Sequence, residues 1–236
     1  MSLASLAGAR IPHASAGDPL FGNVVLLLQG GTLQDFSSYN RTVTSSSATL
    51  NDTSYVVNGL NTIKLVSVFL GANGFLTWAR SAELEFGTSD FCIEGYFKVA
   101  NVPNFNFYID RIGGGGDPLG WAPNQASNPA AQSLAINGAS ATGVGPSLLL
   151  PASFYACIER VGDQICGSID GINGSTPKTL TPGLALNAAT IDARIGLGSA
   201  QTNTWTDNVG QYRITIGANR YNGANFTPPT APYPTF

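Results

Sequence analysis

The sequence predicts an all-β fold, an antiparallel β-sandwich or jelly roll, on three observations. Short apolar runs recur from Val24 to Ile216, each bounded by clusters of Gly, Asn, Asp or Pro. Several of them alternate apolar with other residues, the period of two that a half-buried strand requires. No segment combines the helical period with helix start and stop signals.

In chain order, residues 1–23 are rich in Ala, Ser and Gly, carry Pro12 and Pro19, and read as an extended N-terminal arm. Leu3, Leu6 and Ile11 give the arm apolar positions that a neighbouring subunit would cover. Residues 24–236 read as one domain. The run "NVVLLLQ" opens it, and "SYVVN", "KLVSVFL" and "FLTWA" follow as strands. In "DFCIEGYFKV", Phe91, Ile93, Gly95, Phe97 and Val99 alternate with Cys92, Glu94, Tyr96 and Lys98, so one face is packed and the other mixed. Glu94 and Lys98 fall on the same side, and the expected role of Glu94 is a structural ion pair or hydrogen bond at the sheet surface.

After "NFYIDRI", residues 113–145 contain four consecutive glycines and "DPLGWAPNQASNPAA", and read as a long Gly-rich excursion with "SLAIN" as its one β run. "FYACIERVGDQICGSIDG" is a hairpin turning at Gly162-Asp163, with Asp170-Gly171 opening the next turn. "TIDARIGLG" and "QYRITIG" supply the last strands. Beyond them the prolines at 228, 229, 232 and 234 mark a Pro-rich C-terminal tail.

Composition excludes several functions. A net charge of −3, a charged fraction of 11% and no Lys/Arg cluster leave no footprint for nucleic acid. The surface must be built largely from Ser, Thr, Asn, Gln, Gly and Ala. No run reaches the about 20 apolar residues of a membrane span. Met1 to Gly8 lacks the basic region of a secretory signal, which points to synthesis in a cytoplasm. Three cysteines without a CxxC pair make a poor disulfide framework, and Cys92 and Cys166 read as small buried hydrophobes. The one histidine, His13, lies in the arm, so the body holds no histidine-based triad, zinc site or general base.

Four separated blocks carry a family resemblance: "DPLFGNVVLLLQGG", "FLTWARSAELEFGTSDFCIEGYFKV", "FYACIERVGDQICGSIDG" and "YRITIGANRYNGANFTPPTAPYP". Through them the chain resembles the concanavalin A-like (laminin G-like) jelly-roll domains of bacteriophage virion proteins. The resemblance implies a Pro-rich tail lying across the sandwich after the last strand. It also implies a non-enzymatic virion surface protein, a capsid decoration or tail-associated component made in a host bacterial cytoplasm. Its partners would be other virion proteins and further copies of the chain in a homo-oligomer, not nucleic acid. The alternative is a glycan-binding adhesin recognising a host surface saccharide. Such domains usually show an acidic pair before "YRIT", where this chain has Gly210-Gln211, which removes carboxylates from any calcium or polar site.

Candidate chemistry is sparse. Related glucanases use an E-x-D-x-x-E run, of which Glu83-Leu84-Glu85 keeps only a fragment, so these two read as solvated turn carboxylates and no catalytic residue is assigned. Asp52, Asp110 and Asp117, with neighbouring asparagines, are the candidate oxygen ligands for calcium, without an Asp-rich loop of defined spacing. Trp78 belongs to the core. Trp121, Trp205, Tyr108 and Tyr221, with the amides of Asn124 and Asn128, are the candidate binding residues, suited to a saccharide or a protein interface.

Overall fold

A computed structural model describes residues 17–67, 74–99, 106–109, 119–122, 132–137, 139–146, 152–174, 177–188, 192–196 and 205–236. Two antiparallel sheets face each other across one core, and the described residues contain no α-helix, only 3-10 turns at Phe21–Asn23 and Ala82–Leu84. The fold is the all-β sandwich that the period-two runs predict.

Strands are numbered in chain order. The nine-stranded sheet holds β1 (Val24–Leu28), β3 (Ala48–Val57), β4 (Leu60–Ser67), β6 (Phe91–Val99), β11 (Ala152–Val161), β12 (Gln164–Ile169), β13 (Ile172–Asn173), β14 (Lys178–Thr179) and β16 (Trp205–Ile216). Its order is β13-β12-β11-β6-β16-β4-β3, with β1 also paired to β16 and β14 to β12. The seven-stranded sheet holds β2 (Val43–Ser46), β5 (Phe75–Trp78), β7 (Asn106–Ile109), β8 (Leu119–Ala122), β9 (Gln132–Ile136), β10 (Ala139–Val144) and β15 (Ala193–Gly196), in the order β10-β9-β8-β7-β15-β5-β2.

The long strand β16 is the spine of the first sheet. β6 runs along one edge, while β4 pairs with its first half and β1 with its second. The register slips between Val209 and Tyr212, so Gly210-Gln211 forms a bulge. A Cβ at Gly210 would stand 3.0 Å from Val57 Cγ2 and 3.1 Å from Tyr96 Cβ, which is why a glycine occupies the bulge.

Between the sheets pack Leu26, Ile63, Leu65, Leu76, Trp78, Phe91, Ile93, Phe97, Ile158 and Ile214. Trp78 lies 6.4 Å from the Tyr108 ring and 6.2 Å from that of Tyr212. Truncating such an aromatic to alanine costs about 3–5 kcal/mol through lost transfer energy and the cavity left behind.

Two sequence expectations change here. The stretch 113–145 is not a plain excursion, because β8, β9 and β10 lie within it and complete one side of the seven-stranded sheet. Their residues are small and glycine-bearing ("LGWA", "ASATGV"), which hides the strand period. The arm also ends earlier than residue 23: Asp18 is buried and its N–H donates to the Phe236 carbonyl at 3.0 Å.

Candidate functional site

The nine-stranded sheet buries its outer face as well. Val24 and Leu27 of β1, Cys92 of β6, and Tyr155 and Cys157 of β11 form a second apolar layer with Tyr233, packed against Phe21, Phe36, Tyr96, Tyr221 and Phe226. This layer exists because the Pro-rich tail folds across it, as the family resemblance implied. The Tyr233 N–H donates to Gln211 Oε1 at 3.2 Å, and Asn58 Nδ2 donates to the carbonyls of Pro229 and Ala231, each at 3.1 Å. The Tyr96 hydroxyl donates to the Pro229 carbonyl as well. Prolines suit this path: they cannot extend the sheet, and their fixed φ lowers the entropy lost on ordering the tail.

Enclosed by this layer is a cluster of charges. Arg213 Nε donates to Glu94 Oε1 at 2.6 Å, and Arg220 Nε stands 3.4 Å from the same oxygen. Asp18 Oδ2 receives Arg213 Nη1 at 2.9 Å and Arg220 Nη2 at 2.8 Å, while Asp18 Oδ1 receives Arg220 Nη1 at 3.0 Å. The hydroxyls of Tyr221 (2.6 Å) and Tyr155 both donate to Glu94 Oε2. Glu159 accepts three backbone N–H groups of the turn after β16, from Arg220, Tyr221 and Gly223, at 3.2, 3.1 and 2.7 Å.

The protonation states follow from this enclosure. Burial alone would raise the Asp18 carboxyl, but the Arg220 hydrogen bond, the Leu20 amide and the two guanidinium charges outweigh it and hold the carboxyl below its ordinary range. Burial raises the Glu159 carboxyl, with the three amides offsetting part of the shift. Burial, and then the Glu94 charge, push the phenols of Tyr155 and Tyr221 far up, so both remain donors. Each Glu94 oxygen is already hydrogen-bonded, so this cluster works as a clamp holding tail, turn and residue 18 on the sheet. General acid–base chemistry needs a group within reach of a substrate proton, whereas Glu94 and Glu159 are buried with their oxygens taken by arginine, tyrosine and backbone donors.

The sequence-derived residues divide as follows. Glu94 does make a structural ion pair, but with Arg213 on the neighbouring strand β16; the Lys98 amine instead stands 6.0 Å from the Tyr55 ring. Glu83 and Glu85 are exposed turn carboxylates facing Arg41 (3.5 Å) and Arg80 (2.9 Å), as expected. Trp121 is not an exposed binding residue: it points into the core from β8, fully buried, and its Nε1 donates to Gln132 Oε1 at 2.7 Å. Tyr108 is likewise core. Tyr221 is half-buried, stacked on Phe226 at 3.5 Å between ring centroids, with its hydroxyl on Glu94, so it offers no open platform. Trp205 opens β16, its backbone paired with Ser67. Leu3, Leu6, Ile11, Asp110, Asp117, Asn124 and Asn128 lie outside the described residues.

Asp52 spends its carboxylate on Asn208 Nδ2 at 2.7 Å and on the Ser54 hydroxyl. Among the described residues the one group with metal-ligand proximity is Cys92, Glu94 and Cys157. It does not fit calcium, a hard cation that takes oxygen ligands, because two of its three members are thiols and two guanidinium groups already hold Glu94. The Cys92 and Cys157 sulfurs are 3.5 Å apart, and all three cysteines are free and buried.

The outer face of the seven-stranded sheet differs in kind. Its seven strands carry one charged residue, Arg194 on β15. The alternation of buried Ala193, half-buried Arg194 and buried Ile195 turns this side chain outward. Sequence reading passed over it because an isolated arginine inside "TIDARIGLG" carries no motif.

The chain matches no protein-family model and no curated protein sequence. Solved structures do resemble it. The binding domain of Paraclostridial Mosquitocidal Protein 1 superposes with a TM-score of 0.64 at 13% identity, over 85% of this chain and 50% of that one. A botulinum neurotoxin type C structure, solved in connection with cell entry dependent upon two ganglioside molecules, gives 0.63 at 12% identity over 83% and 48%. The binding domain of botulinum neurotoxin DC in complex with rat synaptotagmin II gives 0.56 at 13% over 83% and 48%. The chain therefore spans about half of each of these proteins, and at such identity the likeness carries the fold alone: a β-sandwich shared with clostridial toxin binding domains.

Proposed function

We propose that the chain is a non-catalytic recognition module that attaches to a surface saccharide. The observation that carries this reading is the contrast between the two outer faces. On the nine-stranded sheet the carboxylates Asp18, Glu94 and Glu159 are consumed by Arg213, Arg220 and backbone amides under the chain's own tail. On the seven-stranded sheet the outward side carries a half-buried cation, Arg194, whose buried Nε has no hydrogen-bond partner. The fold likeness to toxin binding domains supports a binding role, while the ligand has to come from this chain's own surface. A glycan array probed with the whole chain tests the reading. Selective binding to a subset of saccharides is the expected result, and an array with no signal above background overturns it.

A second reading, a structural component of a bacteriophage virion acting through protein contacts, rests on the edge strand β3. Leu50 and Val56 on it are 41% and 49% exposed, and apolar edge residues suit burial against another subunit. A map of an intact particle containing ordered copies of the chain is the result that would favour this reading.

A further inference from the structure

We propose that the outer face of the seven-stranded sheet is a binding site for a carboxylate-bearing saccharide, with Arg194 as the group that pairs the carboxylate. The proposal deepens the saccharide-recognition reading and rests on it.

Three observations converge on Arg194. It is the one charged residue in the seven strands, and it sits on β15, between β7 and β5. Its guanidinium lies 5.2 Å from the centre of the Phe75 ring, which fixes its position by a cation–π contact without satisfying any N–H. Its Nε is buried and has no hydrogen-bond partner. A partly desolvated guanidinium held by no hydrogen bond or salt bridge among the described residues is costly, and a carboxylate paired with its outward N–H groups lowers that cost. Asp192 is the nearby acid and its charge favours the cation, but it makes no hydrogen bond or salt bridge to Arg194, and its Oδ1 accepts the Arg80 amide at 3.3 Å.

The strand register shows what surrounds the cation. Ser140, Ala135, Gly120, Ile109, Arg194, Thr77 and Thr44 occupy one row across all seven strands. On the β8 side the row carries Gly120 and Ala135, and among the described residues a Cβ at Gly120 would meet the Ala135 Cβ alone, at 3.4 Å. Among the described residues the floor there is low. Gly120 lies two strands from Arg194, about 10 Å at ordinary strand spacing, which is the reach of a two-sugar unit. Thr77 and Thr44 on the other side offer hydroxyls. The Thr77 hydroxyl donates to the Ala193 carbonyl at 2.8 Å, which leaves its lone pairs for a sugar hydroxyl.

The occupant follows from this chemistry. A guanidinium presents a planar fork that matches a carboxylate with two parallel hydrogen bonds. A peptide would gain its main-chain bonds from a free strand edge, and the interior of a sheet face has none. A flat ring laid over small residues, with one acid directed at Arg194, uses what the face provides.

The test is titration calorimetry on the whole chain with an oligosaccharide ending in a uronic or sialic acid and with its carboxyl-reduced, neutral counterpart. The acidic sugar should bind at least about tenfold more tightly. Arg194→Gln should erase that preference, Arg194→Lys should keep part of it, and Gly120→Leu should weaken both sugars by obstructing the floor. Unchanged thermal midpoints for Arg194→Lys and Gly120→Leu guard against unfolding as the cause. Equal affinity for the acidic and neutral sugars overturns the Arg194 site while leaving saccharide recognition standing, as does an acid preference that survives Arg194→Gln. Failure to bind either sugar, in a chain that also gives no signal on the array, overturns both.

Discussion

Asp18 lies in a stretch that reads as a tether, yet two guanidinium groups hold its carboxylate. Its pKa is held below the ordinary value of 3.8. The stabilisation it contributes is therefore complete at neutral pH and is lost as pH falls through the folded-state value. Glu159 has the opposite sign. Its carboxyl is raised above 4.5 by burial, so its ionisation weakens the fold as pH rises through the folded value, and acid relieves that. Asp18→Asn should lower stability at pH 7 by about 3 kcal/mol, the cost of leaving buried cations short of a partner. Calorimetric melts taken from neutral pH down to about pH 2 should then show a shallower acid decline than in the parent. Parallel acid limbs in the two proteins would contradict this assignment. Glu94→Gln should be at least as damaging at neutral pH, because Arg213 and Arg220 would then share one carboxylate; chemical denaturation measures it. Of the charged residues in this cluster only Glu94 stood out in the sequence. Its partner Arg213 is legible in retrospect, since Tyr212 and Ile214 alternate with it and turn it to the same outer face. The pairing itself depends on strand register between β6 and β16, which local pattern does not encode.

At the scale of elements, the tail behaves as a lid. Tyr233 is its buried anchor, and Gly171 shows how closely it sits: a Cβ there would fall 1.9 Å from the Phe226 carbonyl oxygen, at a φ of +77°. Gly171→Ala should therefore unseat the tail where Phe226 N donates to the Gly171 carbonyl at 2.9 Å. Tyr233→Ala should cost about 3–5 kcal/mol, in the range of large aromatic truncations. Both changes should speed the reaction of Cys92 and Cys157 with a thiol reagent, since the lid covers these buried sulfurs. A labelling rate equal to the parent's would show that the sulfurs are reached by another route. Strands β6, β11 and β12 were readable because their apolar alternation survives burial on both faces. Strands β8 and β10 were not, because glycine, alanine and serine hold strand positions there without marking the period, and Trp121 was misplaced with them.

For the molecule as a whole, the sandwich class followed from punctuation and period, whereas the division into nine and seven strands did not. Strand order is set by contacts between distant segments, such as β1 against β16, and local sequence leaves it open. Removing residues 2–16 should leave the thermal midpoint within about 2 °C of the parent, since Asp18 and Gly17 already supply the attachment at that end. A larger fall in a melting scan would assign those residues a share in the core.

The hydrogen bond from Asp18 to Phe236 brings these two points of the chain side by side. A pulling force applied at Gly17 and Phe236 would therefore load the contacts between them one after another, in an unzipping direction. The sheets, whose ladders lie deeper, would at first bear little of it. An optical-tweezer trace with handles at these positions should show an early, low-force release of the tail up to the turn held by Glu159, followed by a separate high-force rupture of the sandwich. Handles placed across β11 and β16 should give the second event without the first. Mechanically, the chain would extend under tension before its seven-stranded face was disturbed.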